Sequence, residues 1–269
     1  MSKLANKDIL KTSLNSDGIL RLSLNNPDNQ NTLSEDMMLN LQSALNESIQ
    51  DKKTRVIIIS AEGAVFSAGH DLKELKSKRQ NSDKGKAYFN DVMTKCSKLM
   101  QTIVTNPKPV IAEVAGVATA AGCQLVASCD LAYAGKSSKF ATPGVNIGLF
   151  CSTPMVALSR NLTNKHSMEM LLTGDLISPD KAVEIGLINQ VVKDEFLQKT
   201  VLDIALKISK KSAMTLKIGK EAFYNQLDMN LSEAYEYASN VMVQNMLKFD
   251  AEEGIDAFIN KRDPKWKDQ

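Results

Sequence analysis

The chain has 269 residues, 43% of them hydrophobic and 24% charged, with a net charge of +2 and a pI of about 8.2. That length allows one large domain or two small ones around a substantial core, and that charge excludes an electrostatic case for nucleic acid or an acidic membrane as partner. The four cysteines (Cys96, Cys123, Cys129, Cys151) form no CxxC pair, and only His70 and His166 stand beside them, so buried free thiols in a reducing compartment are expected rather than disulfides or a metal site.

The opening "MSKLANKDILKTSLNSDG" has no apolar h-region and no arginine, and no apolar run approaches the roughly 18 residues of a membrane span. A cytoplasmic protein is expected, or a mitochondrial-matrix one if a presequence has been removed. Residues 9–14, the turn at 15–18 and the alternating Leu20, Leu22 and Leu24 predict a hairpin. Thr32 and Glu35 have the spacing of a capping box opening a helix to about Gln50. "RVIIIS" (55–60) reads as a strand buried on both faces.

Residues 61–75 pass from small side chains into a helix near Asp71, and a longer helix over 86–105 is stopped by "NPKP". A strand at 110–116 leads through a run of Gly, Ala and Thr into a helix containing Gln124, and 130–134 is a further strand. At 177–186 the punctuation is explicit: Ser178 as N-cap, Pro179 in the first turn, Gly186 at the end. Residues 187–192 read as the last strand, after which Leu197, Val201, Ile204, Ala205 and Ile208 hold helical spacing and three more helical segments follow. The expected organisation is a mixed α/β core over 8–195 and a helical, oligomer-forming region over 196–269.

Two segments share one design, strand then small-residue loop then helix start: "IIIS-AEGAVFSAG-HDLKEL" and "AEVAG-VATAAG-CQLVA". Small residues let a ligand approach the backbone, and free N–H groups at a helix start favour an oxygen bearing negative charge. For either segment alone, tight helix–sheet packing is the commoner explanation; together they would supply a two-donor oxyanion site. No G-x-G-x-x-G and no G-x-S-x-G is present, and "GKSS" (135–138) lacks the first glycine of a phosphate loop, Asp130 standing there instead.

"FSAGHDLKEL", "KPVIAEVAGVATAAGCQLVASCDLAYA", "FATPGVNIGLF", "MEMLLTGDLIS" and "EEGIDAFINKRDPKWKDQ" together resemble the enoyl-CoA hydratase/isomerase (crotonase) family, in order from about Gly18 to the last residue. The resemblance implies a crotonase-type α/β spiral of ββα units with a C-terminal helical trimerisation extension. The assembly it implies is a homotrimer or a homohexamer of paired trimers. It implies coenzyme A as part of an acyl-CoA ligand rather than a tightly bound cofactor, no metal, and no nucleic-acid or membrane partner. The thioester oxygen would sit between the backbone N–H groups of His70 and Ala121, the latter replacing the family's usual glycine. The run His70, Asp71, Leu72, Lys73 matches the segment lining the CoA path, and Phe258 and Lys261 match an aromatic and a cation that reach CoA, commonly in a neighbouring subunit.

The departures are equally specific. Gln124 and Gly144 stand where the hydratases keep their two catalytic glutamates. An amide can orient water but cannot take a proton near neutral pH, and glycine has no side chain. Each such acid–base group contributes about 10²–10⁴ in rate, so the two-glutamate hydratase mechanism is excluded. Substitutes to consider are the His70 ring, Ser152 where some relatives keep an aspartate, the thiol of Cys151, Glu113, and the pair Asp71 and Glu74 at a helix start. The commoner arrangement has the His70 ring turned away and Glu113 facing solvent or a subunit contact. The leading expectation is an atypical hydratase-like or isomerase-like activity, a lyase or isomerase step of fatty-acid and acyl-CoA metabolism. The alternatives are a non-catalytic acyl-CoA-binding or regulatory protein and an acyl-CoA thioester hydrolase.

Overall fold

The hairpin forms as the alternation requires: β1 (Leu10–Leu14) and β2 (Ile19–Leu24) pair antiparallel with Leu14 opposite Leu20. The computed structural model describes residues 9–269, so the first eight residues of the leader reading lie outside it. α1 (Glu35–Gln50) ends where expected but is capped differently. The Ser34 hydroxyl accepts the Met37 N–H at 3.2 Å, while Thr32 accepts from the Asn29 amide and Glu35 is engaged by Lys95. The Thr32/Glu35 capping box is therefore not formed; the serine two residues nearer the helix supplies the same oxygen.

From β3 (Val56–Ala61) onward the chain winds in ββα turns. Its pairs are β3 with β4 (Val65–Ser67), β5 (Val110–Val114) with β6 (Val117–Thr119), and β7 (Leu131–Gly135) with β8 (Lys139–Ala141). Helices α2 (Leu72–Lys78) and α3 (Lys86–Thr105) follow the first pair, and α4 (Ala121–Ser128) follows the second. After the third come α5 (Pro154–Asn161), α6 (Asn164–Thr173) and α7 (Pro179–Glu184), leading to β9 (Gln190–Val192). The first strand of each pair joins a six-stranded sheet of order β1-β2-β3-β5-β7-β9, and the second joins a three-stranded sheet of order β4-β6-β8. Among the described residues the pairings between these strands after the hairpin are parallel, and one isolated antiparallel bridge joins Phe140 of β8 to Ile177.

The strand expected at 110–116 is split by this arrangement. Gly116 lies at φ +80°, and a Cβ there would stand 1.9 Å from the Ala64 carbonyl oxygen, so only glycine lets the chain step from one sheet to the other. The strand expected at 187–192 is shorter, because Leu187 and Ile188 turn into the core and both donate their N–H to the Ala182 carbonyl.

β3 is buried on both faces, as its unbroken apolar run demands. Ile57 and Ile59 pack with Leu41, Leu45, Leu99 and Ile103, whereas Val56 and Ile58 pack with Leu197, Val201 and Ala205 of α8 (Leu197–Ser209). α8 thus closes the sheet's second face. α9 (Ala213–Gln226) and α10 (Leu231–Met246) bury no residue, and α11 (Phe249–Ile259) buries only Asp250 and Ala257.

α9 is tied to the body by one polar knot. Lys220 Nζ donates to Asp130 Oδ2 at 2.7 Å and to the carbonyls of Ile103 and Lys108, while Asp130 also accepts from the Tyr224 hydroxyl and the Val110 N–H. Burial draws the Lys220 ammonium below its ordinary pKa, and Asp130 opposes that shift. Removing the carboxylate would leave a buried, unpaired ammonium, so Asp130→Ala is expected to cost about 3–5 kcal/mol in chemical denaturation. Lys220→Met should cost less, because Asp130 keeps two donors.

Candidate functional site

α4 begins in the interior, and its position is set by small residues on both sides of one contact. A Cβ on Gly122 would lie 2.3 Å from the Ser67 carbonyl oxygen, and one on Gly69 would lie 2.9 Å from the Ala120 Cβ and 3.0 Å from the Ala121 nitrogen. The two loops singled out in the sequence therefore touch, His70 following Gly69 on one side and Ala121 opening α4 on the other. Packing and ligand access both need the missing side chains here.

The amides that precede His70 and Ala121 on the two loops are used. Ala68 donates to the Gln30 carbonyl, Gly69 to the Ser67 hydroxyl and Ala120 to the Ala141 carbonyl, while the Gly69 carbonyl accepts from Leu33. Among the described residues neither the His70 nor the Ala121 N–H has a protein acceptor. All eight residues of α4 are buried and no side chain caps its start. Ala120, just before it, holds φ +50° and ψ −120°, a conformation that ordinarily belongs to glycine and costs about 1–3 kcal/mol. Ala121 itself is not among the residues with positive φ, so only its N–H needs to be presented. The strain sits one residue earlier, where it turns the peptide that carries that N–H.

Both His70 ring nitrogens are buried, and neither makes a hydrogen bond of good geometry, although the Leu33 carbonyl is close enough to act on the ring. Burial draws the imidazole pKa down, against a smaller opposing pull from the Leu33 carbonyl. Gln124, 4% exposed, lies one turn into α4 with its Oε1 3.9 Å from the Cys96 sulfur. Burial pushes the Cys96 and Cys123 thiols up to about 12, so both are protonated at neutral pH.

Gly144 lies in a short 3-10 helix, Pro143–Ile147. A Cβ there would stand 2.8 Å from the Leu149 carbonyl oxygen and 2.9 Å from the Cys151 sulfur. The thiol and the folded-back 148–151 segment occupy the space into which a side chain at 144 would grow. This feature had no signal in the sequence, because it depends on how the loop closes.

The remaining candidates are committed elsewhere. Glu113 does not face solvent: it is buried and takes both guanidinium nitrogens of Arg21, at 2.7 and 2.9 Å. Asp71 caps α2 by accepting from Lys73 and Glu74, and these contacts with the Asn29 amide outweigh burial to hold its carboxyl below the usual range. Burial is the main cause that raises the Glu74 carboxyl, whose Oε2 accepts the Glu35 N–H. The Ser152 hydroxyl donates to the Phe150 carbonyl at 3.3 Å with no base beside it. The "GKSS" turn is fastened by Asp194 and the Val114 carbonyl. Leu72 is exposed on α2; Phe258, 84% exposed, and Lys261 stand at the far end of α11, apart from the other candidates within one chain. The four cysteines are free and buried. Among the described residues no helix is long and apolar enough to cross a membrane.

The sequence profile of the family described as Enoyl-CoA hydratase/isomerase matches residues 15–269. The Xenopus laevis protein named enoyl-CoA hydratase domain-containing protein 3, mitochondrial, is 51% identical over 249 residues, covering 93% of this chain and 83% of the relative. The crystal structure of the human domain-containing protein 3 superposes with a TM-score of 0.91 at 48% identity, over 96% of this chain and all of that one. An enoyl-CoA hydratase from Mycobacterium smegmatis gives a TM-score of 0.91 at 41% identity, over 96% and 98% of the two chains.

Two outcomes follow from the local physics. Replacing a buried alanine by glycine ordinarily costs about 1 kcal/mol; Ala120→Gly should cost nothing or stabilise by up to about 1 kcal/mol, because it releases the strain. Ala120→Val should destabilise. Since burial holds the folded His70 pKa below the ordinary histidine value of about 6.5, the unfolded chain binds more protons there, and stability should fall as pH drops through that value toward the folded one. His70→Gln, compared by denaturant midpoint from pH 8 to pH 5, should flatten that loss.

Proposed function

The chain belongs to the enoyl-CoA hydratase/isomerase family, and from that premise we propose that it binds an acyl-CoA thioester and polarises its carbonyl through the His70 and Ala121 amides, without the hydratases' pair of glutamates. The observation carrying this reading is the buried, uncapped start of α4 against the 67–70 loop, where the His70 and Ala121 N–H groups have no protein acceptor while the amides just before them are bonded. Fixed donors in a dry site stabilise a developing oxyanion far better than water does, by about 10²–10³ in rate for one donor.

What such a site does best is stabilise an enolate. With the carbonyl oxygen held, the proton on the carbon next to the thioester is loosened, and its loss leaves the electron pair shared with that oxygen. The near ionisable groups bear on which base could receive the proton: Glu113 is paired, Asp71 is a cap and the thiols are protonated, whereas the His70 ring is uncharged and makes no hydrogen bond of good geometry. The atypical reaction we favour is an isomerase-like or hydratase-like proton transfer with the His70 ring as base and Gln124 placing a polar group beside the acyl chain. Water activation at the next carbon is the step this reading least favours, since Gly144 offers no side chain and the Cys151 sulfur lies 2.9 Å from where its Cβ would stand. The same shortage of carboxylates favours a second reading, a protein that binds acyl-CoA without turning it over. A hydrolase is disfavoured, because neither Ser152 nor Cys151 has a base.

Assembly belongs to the same proposal. Phe223, Leu231, Tyr235, Met246 and Leu247 on or beside α9 and α10 are exposed, on helices that bury nothing in one chain. Such faces suit a homotrimer or hexamer, in which α11 would bring Phe258 and Lys261 to a neighbour's coenzyme. The relatives' names place those proteins in mitochondria; for this chain, matrix and cytoplasm alike keep four buried thiols reduced.

Incubating the protein with saturated acyl-CoA in D₂O and reading mass gives the test. We expect deuterium uptake next to the thioester, lost in His70→Gln, which keeps the backbone donor; binding without exchange would establish the second reading instead. Wild type should hydrate crotonyl-CoA poorly, and Gln124→Glu should raise that rate by about 10²-fold or more. Gly144→Glu should destabilise the protein rather than activate it, because its Cβ meets the Leu149 carbonyl and Cys151. Light scattering after size exclusion should give three or six chains; a monomer would contradict the assembly.

A further inference from the structure

α11 has little of its own to hold it in place. Only Asp250 and Ala257 are buried, and its outer end carries the exposed Phe258. What fixes it is the segment that follows, which runs back along the helix. The Asp250 carboxylate, 2% exposed and without a cation, accepts the N–H of Lys267 at 2.8 Å and of Asp268 at 3.0 Å. Glu253 accepts the Lys265 N–H at 2.6 Å and pairs with Arg262 through both oxygens.

The same segment grips the body of the protein. The Trp266 indole donates to the Lys210 carbonyl at 2.9 Å, at the end of α8, and its ring lies so close to α11 that a Cβ on Gly254 would stand 3.1 Å from it. Asp268 accepts the Ala213 N–H at 2.7 Å, at the first residue of α9, and pairs with Arg55 at 3.0 Å. Arg55, just before β3, is itself fastened to the carbonyls of Ser209 and Lys211. Two hydrogen-bonding side chains, Trp266 and Asp268, therefore connect α11 to the junction of α8 and α9.

We propose that residues 263–269 are a strap that positions α11, making Trp266 and Asp268 positioning residues for the nucleotide end of the coenzyme. The inference rests on the reading that Phe258 and Lys261 meet coenzyme A. Its physical content is leverage: eight residues of helix separate Asp250 from Phe258, about 12 Å, so a tilt of about 10° at the strap moves the tip by about 2 Å. That is more than a hydrogen bond tolerates. The strap acts on the coenzyme's distal end alone, because the acyl end is held by residues of the 67–70 loop and α4.

The test compares two ligands by calorimetry on the full chain: coenzyme A, and an acyl-pantetheine thioester that lacks the nucleotide. Trp266→Ala, and separately Gly254→Val, which drives a side chain into the indole, should raise the Kd for coenzyme A by about tenfold and leave the pantetheine thioester unchanged. Trp266→Phe, which keeps a ring against Gly254 but loses the bond to the Lys210 carbonyl, should recover only part of the loss. Equal weakening of both ligands would mean general destabilisation and overturn the proposal. Unchanged coenzyme A binding in the strap variants, with weakening in Lys261→Ala, would overturn the strap while sparing the coenzyme-arm reading. If Lys261→Ala and Phe258→Ala change nothing, the arm reading itself falls and this inference with it.

Discussion

A helix that starts inside a protein must find partners for its first amides or leave them exposed to whatever enters. α4 starts there without a side-chain cap, with Gly122 pressed on Ser67 and Ala120 on Gly69. The rest of the site follows from that contact. It forces small residues on both loops, it places Ala120 in a glycine-like conformation, and it leaves the Ala121 N–H beside the loop that carries the His70 N–H. The three-stranded sheet exists to bring the two loops together, since β4 and β6 are neighbours in it and each runs directly into one of them.

The chemistry is narrower than the fold. An oxyanion cradle is indifferent to what happens next: it serves enolates and tetrahedral intermediates alike, and direction comes from the acids and bases around it. On the proposed reading those are few: Gln124 is an amide without a carboxylate's proton affinity, and Gly144 has no side chain, the Cys151 sulfur lying 2.9 Å from where its Cβ would stand. The imidazole of His70 is left as the titratable group beside the cradle, buried, uncharged and without a hydrogen bond of good geometry. On that reading, a site so arranged favours moving a proton next to the thioester over adding water further along the chain.

Most of this architecture was legible in the residues. The hairpin, the doubly buried β3, the exact span of α3 and the capping of α7 by Ser178 follow from alternation, unbroken apolar runs and punctuation. The second sheet was not, because its strands are three residues each and their pattern is drowned by the small residues the site requires. Thr32 and Glu35 have the right spacing for a cap, but spacing cannot tell which of the two hydroxyl residues flanking Leu33 turns toward the helix. Glu113 was misplaced for a related reason: alternation gives a face, and only tertiary packing shows that Arg21 from β2 reaches across that face to pair with it. The positive φ of Ala120 and the plug at Cys151 lie beyond any local pattern.

The central claim is that the thioester carbonyl is held by two backbone amides. Isotope-edited infrared spectroscopy of an acyl-CoA labelled with ¹³C at the carbonyl tests it most directly, since the band reports the strength of hydrogen bonds to that oxygen. On binding, the band should move to lower frequency than in water, and it should do so in His70→Gln as well, because the donor is the backbone. A bound acyl-CoA whose carbonyl band stays at its aqueous position would contradict the account.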